Sequence, residues 1–378
     1  MRHGLRSAGP SLAVVLAPLL LIFWAAAAFA TELALVPVTL GGDDIARVVM
    51  RADGGIETQH ADAIDLFQRD GGRTSIARAE EGEVLHLSDG GSFVGVALHR
   101  EAGEDFAPTE TFELRDANGR VLWKTGRTED VTYVISKSGD VVGMTLNINV
   151  PARNKLHFYG AMGATVTEVL VPYLEVGRFD PSGRVLLAVS ARDGLHAFDQ
   201  TGVETWSTPD VRLFAATDGA RAVAALGAGS LRIVRDGAVA ATIPLDDLLV
   251  RRIAIAPDGS RIALAGKHEL RVYDGRTLAP LWTARTERDD LSWTSVDVAA
   301  ANGWLMAGVA RDLGPSVDTD RRHPDGEIRA YDAAGALAHR AALTFPIWNI
   351  WSPTVLIDRS GKGATVTTRR AVYRTVLP

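Results

Sequence analysis

The chain has 378 residues, with 40 Lys and Arg against 46 Asp and Glu, no Cys and 37 Gly. Its 47% apolar content excludes wholesale disorder, and zero cysteine excludes a disulfide scaffold, a thiolate metal site, a Cys nucleophile and a lipid-anchored mature N-terminus. A net charge of −6 argues against a nucleic-acid partner, because neutralising phosphates requires a basic face.

Arg2 and Arg6 make a short basic start, and Ser11 to Ala30 is almost wholly apolar, ending Ala28-Phe29-Ala30 before Thr31. That order predicts a secretory signal over residues 1–30, with Pro18 and the Ala-x-Ala ending favouring cleavage. The rival reading is an uncleaved membrane anchor, since about 20 apolar residues can span a bilayer. The two arginines are not adjacent, so the twin-arginine route is not expected. Either way the body is exported, to the periplasm or beyond, or held at the membrane by its N-terminus. Without residues 1–30 the chain carries 38 basic and 46 acidic side chains, a net −8. Residues 31–62 read as a lead-in segment and 63–378 as one repeat domain.

Within that domain one phrase returns, a tight polar turn with Gly between two apolar runs. It occurs at Ser88-Asp89-Gly90-Gly91, Lys137-Ser138-Gly139, Asp180-Pro181-Ser182-Gly183 and Thr217-Asp218-Gly219, then at Pro257-Asp258-Gly259, Ala301-Asn302-Gly303 and Arg359-Ser360-Gly361. Strand, Gly turn, strand is a hairpin signal. A second, alternating phrase follows each hairpin, as in Leu195-His196-Ala197-Phe198-Asp199, Leu270-Arg271-Val272-Tyr273-Asp274 and Ile328-Arg329-Ala330-Tyr331-Asp332. A short Gly turn and a further strand come next. Each unit of roughly 40–45 residues thus holds four strands, A to D, the blade of a β-propeller. Residues Ala63 to Ala79 read as a C–D hairpin, and Thr354 to Pro378 as strands A, B and C. Pairing these two ends in one blade predicts a closed, all-β ring of seven blades, with eight left open because both ends offer a strand C.

The phrases Ala197-x-Asp199…Gly202-x-x-x-Trp206, Asp116…Gly119-x-x-x-Trp123 and Tyr273-Asp274…Trp282 resemble the Trp-docking motif of the pyrroloquinoline-quinone-type propellers. The units are also similar to Trp-Asp-repeat propellers. The resemblance spans most of residues 63–378 and implies a fold in which these Trp side chains pack blade on blade. It names no activity. Quinoprotein dehydrogenases of that type have a longer chain and a Cys pair beside the cofactor, and this chain has no Cys.

In a four-stranded blade the A–B and C–D turns share one face, and the B–C and D–A connections share the other. The predicted insertions all belong to the second face: B–C loops at 100–111, 149–155 and 311–326, and D–A segments at 244–250, 285–293 and 345–353. Loops on a rigid scaffold are where binding function is placed. Candidate partner-binding residues there are Trp348, Trp351, Trp293 and Phe106, rimmed by Asp289, Asp290, Asp320, Arg321, Arg322 and His323. Aromatics inside a charged rim fit a protein-binding hot spot, while the plainer reading has the Trp side chains sealing the ring.

No catalytic, cofactor-binding or metal-binding residues are assigned. Asp318-x-Asp320 with Asp325-Gly326 resembles a calcium loop, but Arg322 and His323 fill positions that need an oxygen ligand and a Gly. No paired-His zinc spacing and no G-x-S-x-G occur. The expected function is an exported, monomeric, non-catalytic propeller that binds a protein through its loop-rich face. The alternative is a lactonase- or lyase-type enzyme at the mouth of the central channel.

Overall fold

The computed structural model describes residues 31–377 apart from 41–43, 52, 101–108, 128–130, 161, 246–247, 301, 312–321, 324–325, 344–346, 349–352, 359 and 369. The described chain is a β-propeller, and it has eight blades rather than the seven expected. Blade 1 holds strands Arg47–Met50, Ile56–Gln59, Ala63–Phe67 and Arg73–Arg78; blade 2 holds Glu83–Leu87, Phe93–Arg100, Thr109–Asp116 and Val121–Arg127. Blades 3 to 6 span residues 132–170, 174–208, 213–244 and 252–285, each a four-stranded antiparallel meander. Blade 7 is built from Leu291–Val298, Leu305–Arg311, Gly326–Tyr331 and Leu337–Ala342, with Thr31–Glu32 added parallel to its outer strand. Blade 8 takes Thr354–Ile357, Gly363–Thr367 and Ala371–Val376 from the C-terminal end and its outer strand, Val36–Leu40, from the N-terminal side.

The miscount has a local cause. The segment read as a lead-in supplies the closing strand of blade 8 and strands A and B of blade 1. Strand B of blade 1 is Ile56-Glu57-Thr58-Gln59, so the apolar signal is missing from its sequence. Glu57 and Thr58 are nevertheless fully buried. Arg51 donates to Glu57 Oε1 at 2.9 Å, and the Thr58 hydroxyl meets His60 Nε2 at 3.0 Å. The eighth A–B turn was also present in the sequence, as Asp53-Gly54-Gly55. Gly54 has a positive φ (82°), as do Gly91, Gly139, Gly183, Gly219, Gly259, Gly303 and Gly361.

The core is divided between the blades. Eight apolar clusters of described residues each fill one inter-blade interface, from Ile64, Leu85 and Val94 between blades 1 and 2 to Val366 and Ile328 between 7 and 8. The interface between blades 8 and 1 closes the ring: Ile45, Ile56 and Val372 are buried together, and Arg374 donates to the Gly54 carbonyl at 2.8 Å. Closure by strands from both ends leaves little sheet edge exposed, and it does so without disulfides.

The Trp-docking positions pack as the motif implies. Trp123, Trp206 and Trp282 on outer strands lie against Gly163, Gly237 and Gly335, the C–D turn glycines of the next blade. Trp123 also stacks on Tyr159, with centroids 5.7 Å apart. Where His339 replaces the Trp in blade 7, it packs instead on Trp304, at 5.6 Å. No helix among the described residues is long and apolar enough to cross a membrane. The signal or anchor read over residues 1–30 lies outside the described residues.

Candidate protein-binding face

Antiparallel meandering makes the two faces of the ring chemically unlike. On one, the A–B and C–D turns are tight and closed by aspartates acting on their own backbone. Asp116 Oδ1 accepts the Asn118 and Arg120 amides at 2.9 and 3.0 Å, and Asp332 Oδ1 accepts those of Ala334 and Ala336 at 2.9 Å. The Thr277 amide, with its hydroxyl, holds the Asp274 carboxyl below the usual carboxylate range. Part of the chain's acidity therefore serves these turns.

On the opposite face the blade 7 and 8 sector joins two of the predicted loops. Arg322–His323, from the B–C insertion of blade 7, pairs antiparallel with Ile347–Trp348, from the segment between blades 7 and 8. Arg322 stands opposite Trp348 and His323 opposite Ile347, so three candidate residues are neighbours in one ribbon. Phe106, Asp320, Arg321 and Trp351 lie outside the described residues.

An ionic cluster stands where the B–C insertion of blade 7 begins. Asp290 pairs with Arg288 at 2.6 Å and with Arg311 at 3.1 Å, linking the segment before blade 7 to the base of its B–C insertion. Arg288 and Arg311 hold the Asp290 carboxyl below its ordinary range. Asp289 beside it is exposed. Trp293 is 1% exposed, so it is a core residue and not a surface contact. It packs on Tyr331 and under the Arg329 guanidinium, 5.4 Å from the ring centre. Burial would lower the Arg329 pKa, but Glu287 and Glu327, both bonded to it, raise it overall.

Two features of this face were not singled out from the sequence. Between blades 5 and 6 a cavity of about 330 Å³ is lined by Arg212, Leu226, Gly227, Leu245, Leu248 and Leu249. On blade 3 the B–C loop carries Leu146, Ile148 and Val150 exposed to solvent, alternating with Asn147 and Asn149. That alternation inside a loop was the available signal.

The inner strands carry the other concentration of ionisable groups. Arg47 donates to Asp89 and the Leu87 carbonyl, joining blade 1 to 2. Arg178 donates to the Phe214 carbonyl and lies 4.1 Å over that ring, joining 4 to 5. Asp297 accepts the Ile357 amide at 2.7 Å, joining 7 to 8, and its burial raises its pKa to about 6. Burial and nearby Arg47 push His86 down to about 4, leaving it neutral. These groups tie adjacent blades. No group of three or more His, Asp and Glu with metal-binding geometry occurs among the described residues.

No protein-family model and no curated protein matches the chain. Solved structures do match, at the level of fold. BamB from Moraxella catarrhalis superposes with a TM-score of 0.60 at 13% identity, covering 91% of this chain and 100% of that one. The C-terminal WD40 domain of Sif2 gives 0.62 at 11%, covering 93% and 99%, and Saccharomyces cerevisiae Sqt1 gives 0.58 at 12%, covering 92% and 100%. The class of this chain is thus the β-propeller, a likeness that these structures show at the level of fold alone.

Proposed function

We propose that the chain is an exported, non-catalytic propeller that binds another protein, as a docking or assembly scaffold, through its B–C/D–A face. The observation that carries this reading is the asymmetry of the ring. One face is a set of short, self-satisfied turns, and the other holds every long connection, including a ribbon made from two of them. Eight mutually packed blades fix the strands from which those connections start and end, which lowers the ordering cost of docking. Arg322, His323 and Trp348 form the proposed contact, with Asp289 and the Asp290–Arg311 pair at its edge. Asp320, Arg321 and Trp351, close to these residues in sequence, and Phe106, in the B–C insertion of blade 2, are proposed as further contacts, while buried Trp293 serves the core of blade 7.

The reading is tested by affinity capture from the native envelope with the chain from Thr31 onward. A partner retained by the wild type is expected to be lost when residues 312–325 are shortened and Trp348 and Trp351 are replaced by Ala. Unchanged capture would overturn it. An enzyme at the channel mouth would need convergent His, Arg and carboxylate groups free to act. Arg47, Arg178 and Asp297 on the inner strands are instead engaged between blades, and Val84 and Val176 on the same set of strands are exposed.

A further inference from the structure

Asparagine precedes glycine at Asn118-Gly119, in the C–D turn of blade 2, at Asn302-Gly303, in the A–B turn of blade 7, and nowhere else in the chain. Such a step carries its own chemistry. The backbone nitrogen that follows an asparagine is a nucleophile beside the side-chain carbonyl carbon, and a residue without Cβ hinders that approach least. The two steps are alike in sequence, so a difference between them comes from the fold.

Asn302 is held at both ends of its side-chain amide. Its Nδ2 donates to the Gly361 carbonyl of blade 8 at 3.1 Å, and its Oδ1 accepts the Trp304 amide at 3.2 Å. Gly303 is buried under Arg261 of blade 6, whose Nη1 donates to the Gly303 carbonyl at 3.1 Å. A Cβ added to Gly303 would lie 2.7 Å from the guanidinium carbon. Bringing the Gly303 nitrogen onto Asn302 Cγ therefore breaks contacts with both neighbouring blades.

Asn118 is exposed, and its side-chain amide makes no hydrogen bond among the described residues. Gly119 is exposed as well, and an added Cβ there would meet nothing within 4 Å. The blade repeat explains the openness. Gly163, Gly237 and Gly335 in other C–D turns lie under Trp123, Trp206 and Trp282 of the preceding blade, and Gly202 lies under Phe158. The outer strand of blade 1, Arg73–Arg78, reads Arg-Thr-Ser-Ile-Ala-Arg and has no aromatic residue to lay on the next turn. What restrains Asn118 is local. Its amide donates to Asp116 Oδ1 at 2.9 Å, and the Gly119 amide donates to the Asp116 carbonyl at 2.9 Å. Opening this one turn frees both groups and leaves the packing between blades intact, and local openings of exposed turns cost far less than global unfolding.

We propose that Asn118 is a site of spontaneous covalent modification, converting to aspartate and isoaspartate, and that the fold protects Asn302 from the same reaction. The Gly119 nitrogen bonds to Asn118 Cγ as the Cγ–Nδ2 bond breaks, and Nδ2 leaves as ammonia with the proton of the Gly119 amide. The product is a succinimide ring. Water then opens the ring at one of two bonds. Breaking the bond from nitrogen to Cγ gives aspartate, and breaking the bond from nitrogen to the main-chain carbonyl carbon gives isoaspartate, whose backbone is longer by one carbon. Water is the only co-reactant. Either product adds a negative charge beside Asp116, on the tight-turn face, so the inference is independent of what the loop-rich face binds.

The test incubates the chain from Thr31 onward in mildly alkaline buffer, folded and in guanidinium chloride. Peptide mass spectrometry with electron-transfer fragmentation reads site and isomer, and released ammonia is measured in parallel. In the folded chain, conversion at Asn118 is expected to outpace that at Asn302 by about tenfold or more, as opening of a single turn requires. In denaturant the two rates are expected to become similar. Asn118→Ser, at an exposed side chain without hydrogen bonds, is expected to bring ammonia release from the folded chain to background. Equal conversion of Asn118 and Asn302 in the folded chain would overturn the proposal. So would an intact Asn118 after an interval that converts the unfolded chain, or ammonia release undiminished in Asn118→Ser.

Discussion

At the scale of single residues, the ring is held by close pairs that tolerate little change. An added Cβ at Gly335 would lie 2.5 Å from Cγ of Trp282, and φ there is 87°. Gly335→Ala is therefore expected to destabilise the fold by about 2–4 kcal/mol, from left-handed strain plus overpacking. Urea unfolding checks this, and an unchanged midpoint would contradict the docking geometry. Glu57 makes a different prediction. Burial raises its carboxyl from 4.5 to about 7, against the pull of Arg51. Below pH 4.5 the group is neutral in both the folded and the unfolded chain. Between 4.5 and 7 the unfolded chain releases the proton while the folded chain keeps it, so stability falls as pH rises, and the loss is complete above 7. The wild type is expected to lose roughly 3 kcal/mol relative to Glu57→Gln between pH 4.5 and pH 8. A difference that does not vary with pH would refute it. Glu57 also shows where sequence reading stops. A buried Glu-Thr pair has no apolar signature, and only the folded contacts with Arg51 and His60 explain its place in an inner sheet.

At the scale of elements, six blades were legible because strands of alternating or wholly apolar residues flank Gly turns. Of the other two, blade 8 is shared between the chain ends and blade 1 has a polar strand B, and pattern fails at both. Strand Val36–Leu40 gains its meaning only by pairing with Ala371–Val376, more than 300 residues away, which no local periodicity can report. Asp53-Gly54-Gly55 was readable as an A–B turn, but the polar strand after it hid the hairpin. Replacing residues 36–40 by a Gly/Ser run is expected to leave blade 8 one strand short and expose its edge. A lower thermal midpoint and concentration-dependent association in light scattering would follow. A variant with the wild-type midpoint that stays monomeric would show that closure does not depend on this strand. The candidate site was legible in the same partial way. The positions of the insertions were readable from strand spacing, whereas the ribbon pairing Arg322 with Trp348 depends on contacts between loops. Trp293 reads on a loop by its position but lies in the inner strand of blade 7 beneath it.

At the scale of the whole molecule, net charge proved a poor guide to the binding surface. The chain is acidic overall, yet many aspartates close turns on the tight-turn face by accepting backbone amides. The central claim is that contact is confined to the loop-rich face, and photo-crosslinker scanning in the native envelope tests it most directly. Benzoylphenylalanine at Ile148, Asp289 and Trp348 is expected to yield the same partner adducts, while the label at Gln200 and Asp258 on the tight-turn face yields none. Adducts of equal strength from the two faces, or from Gln200 and Asp258 alone, would contradict the account.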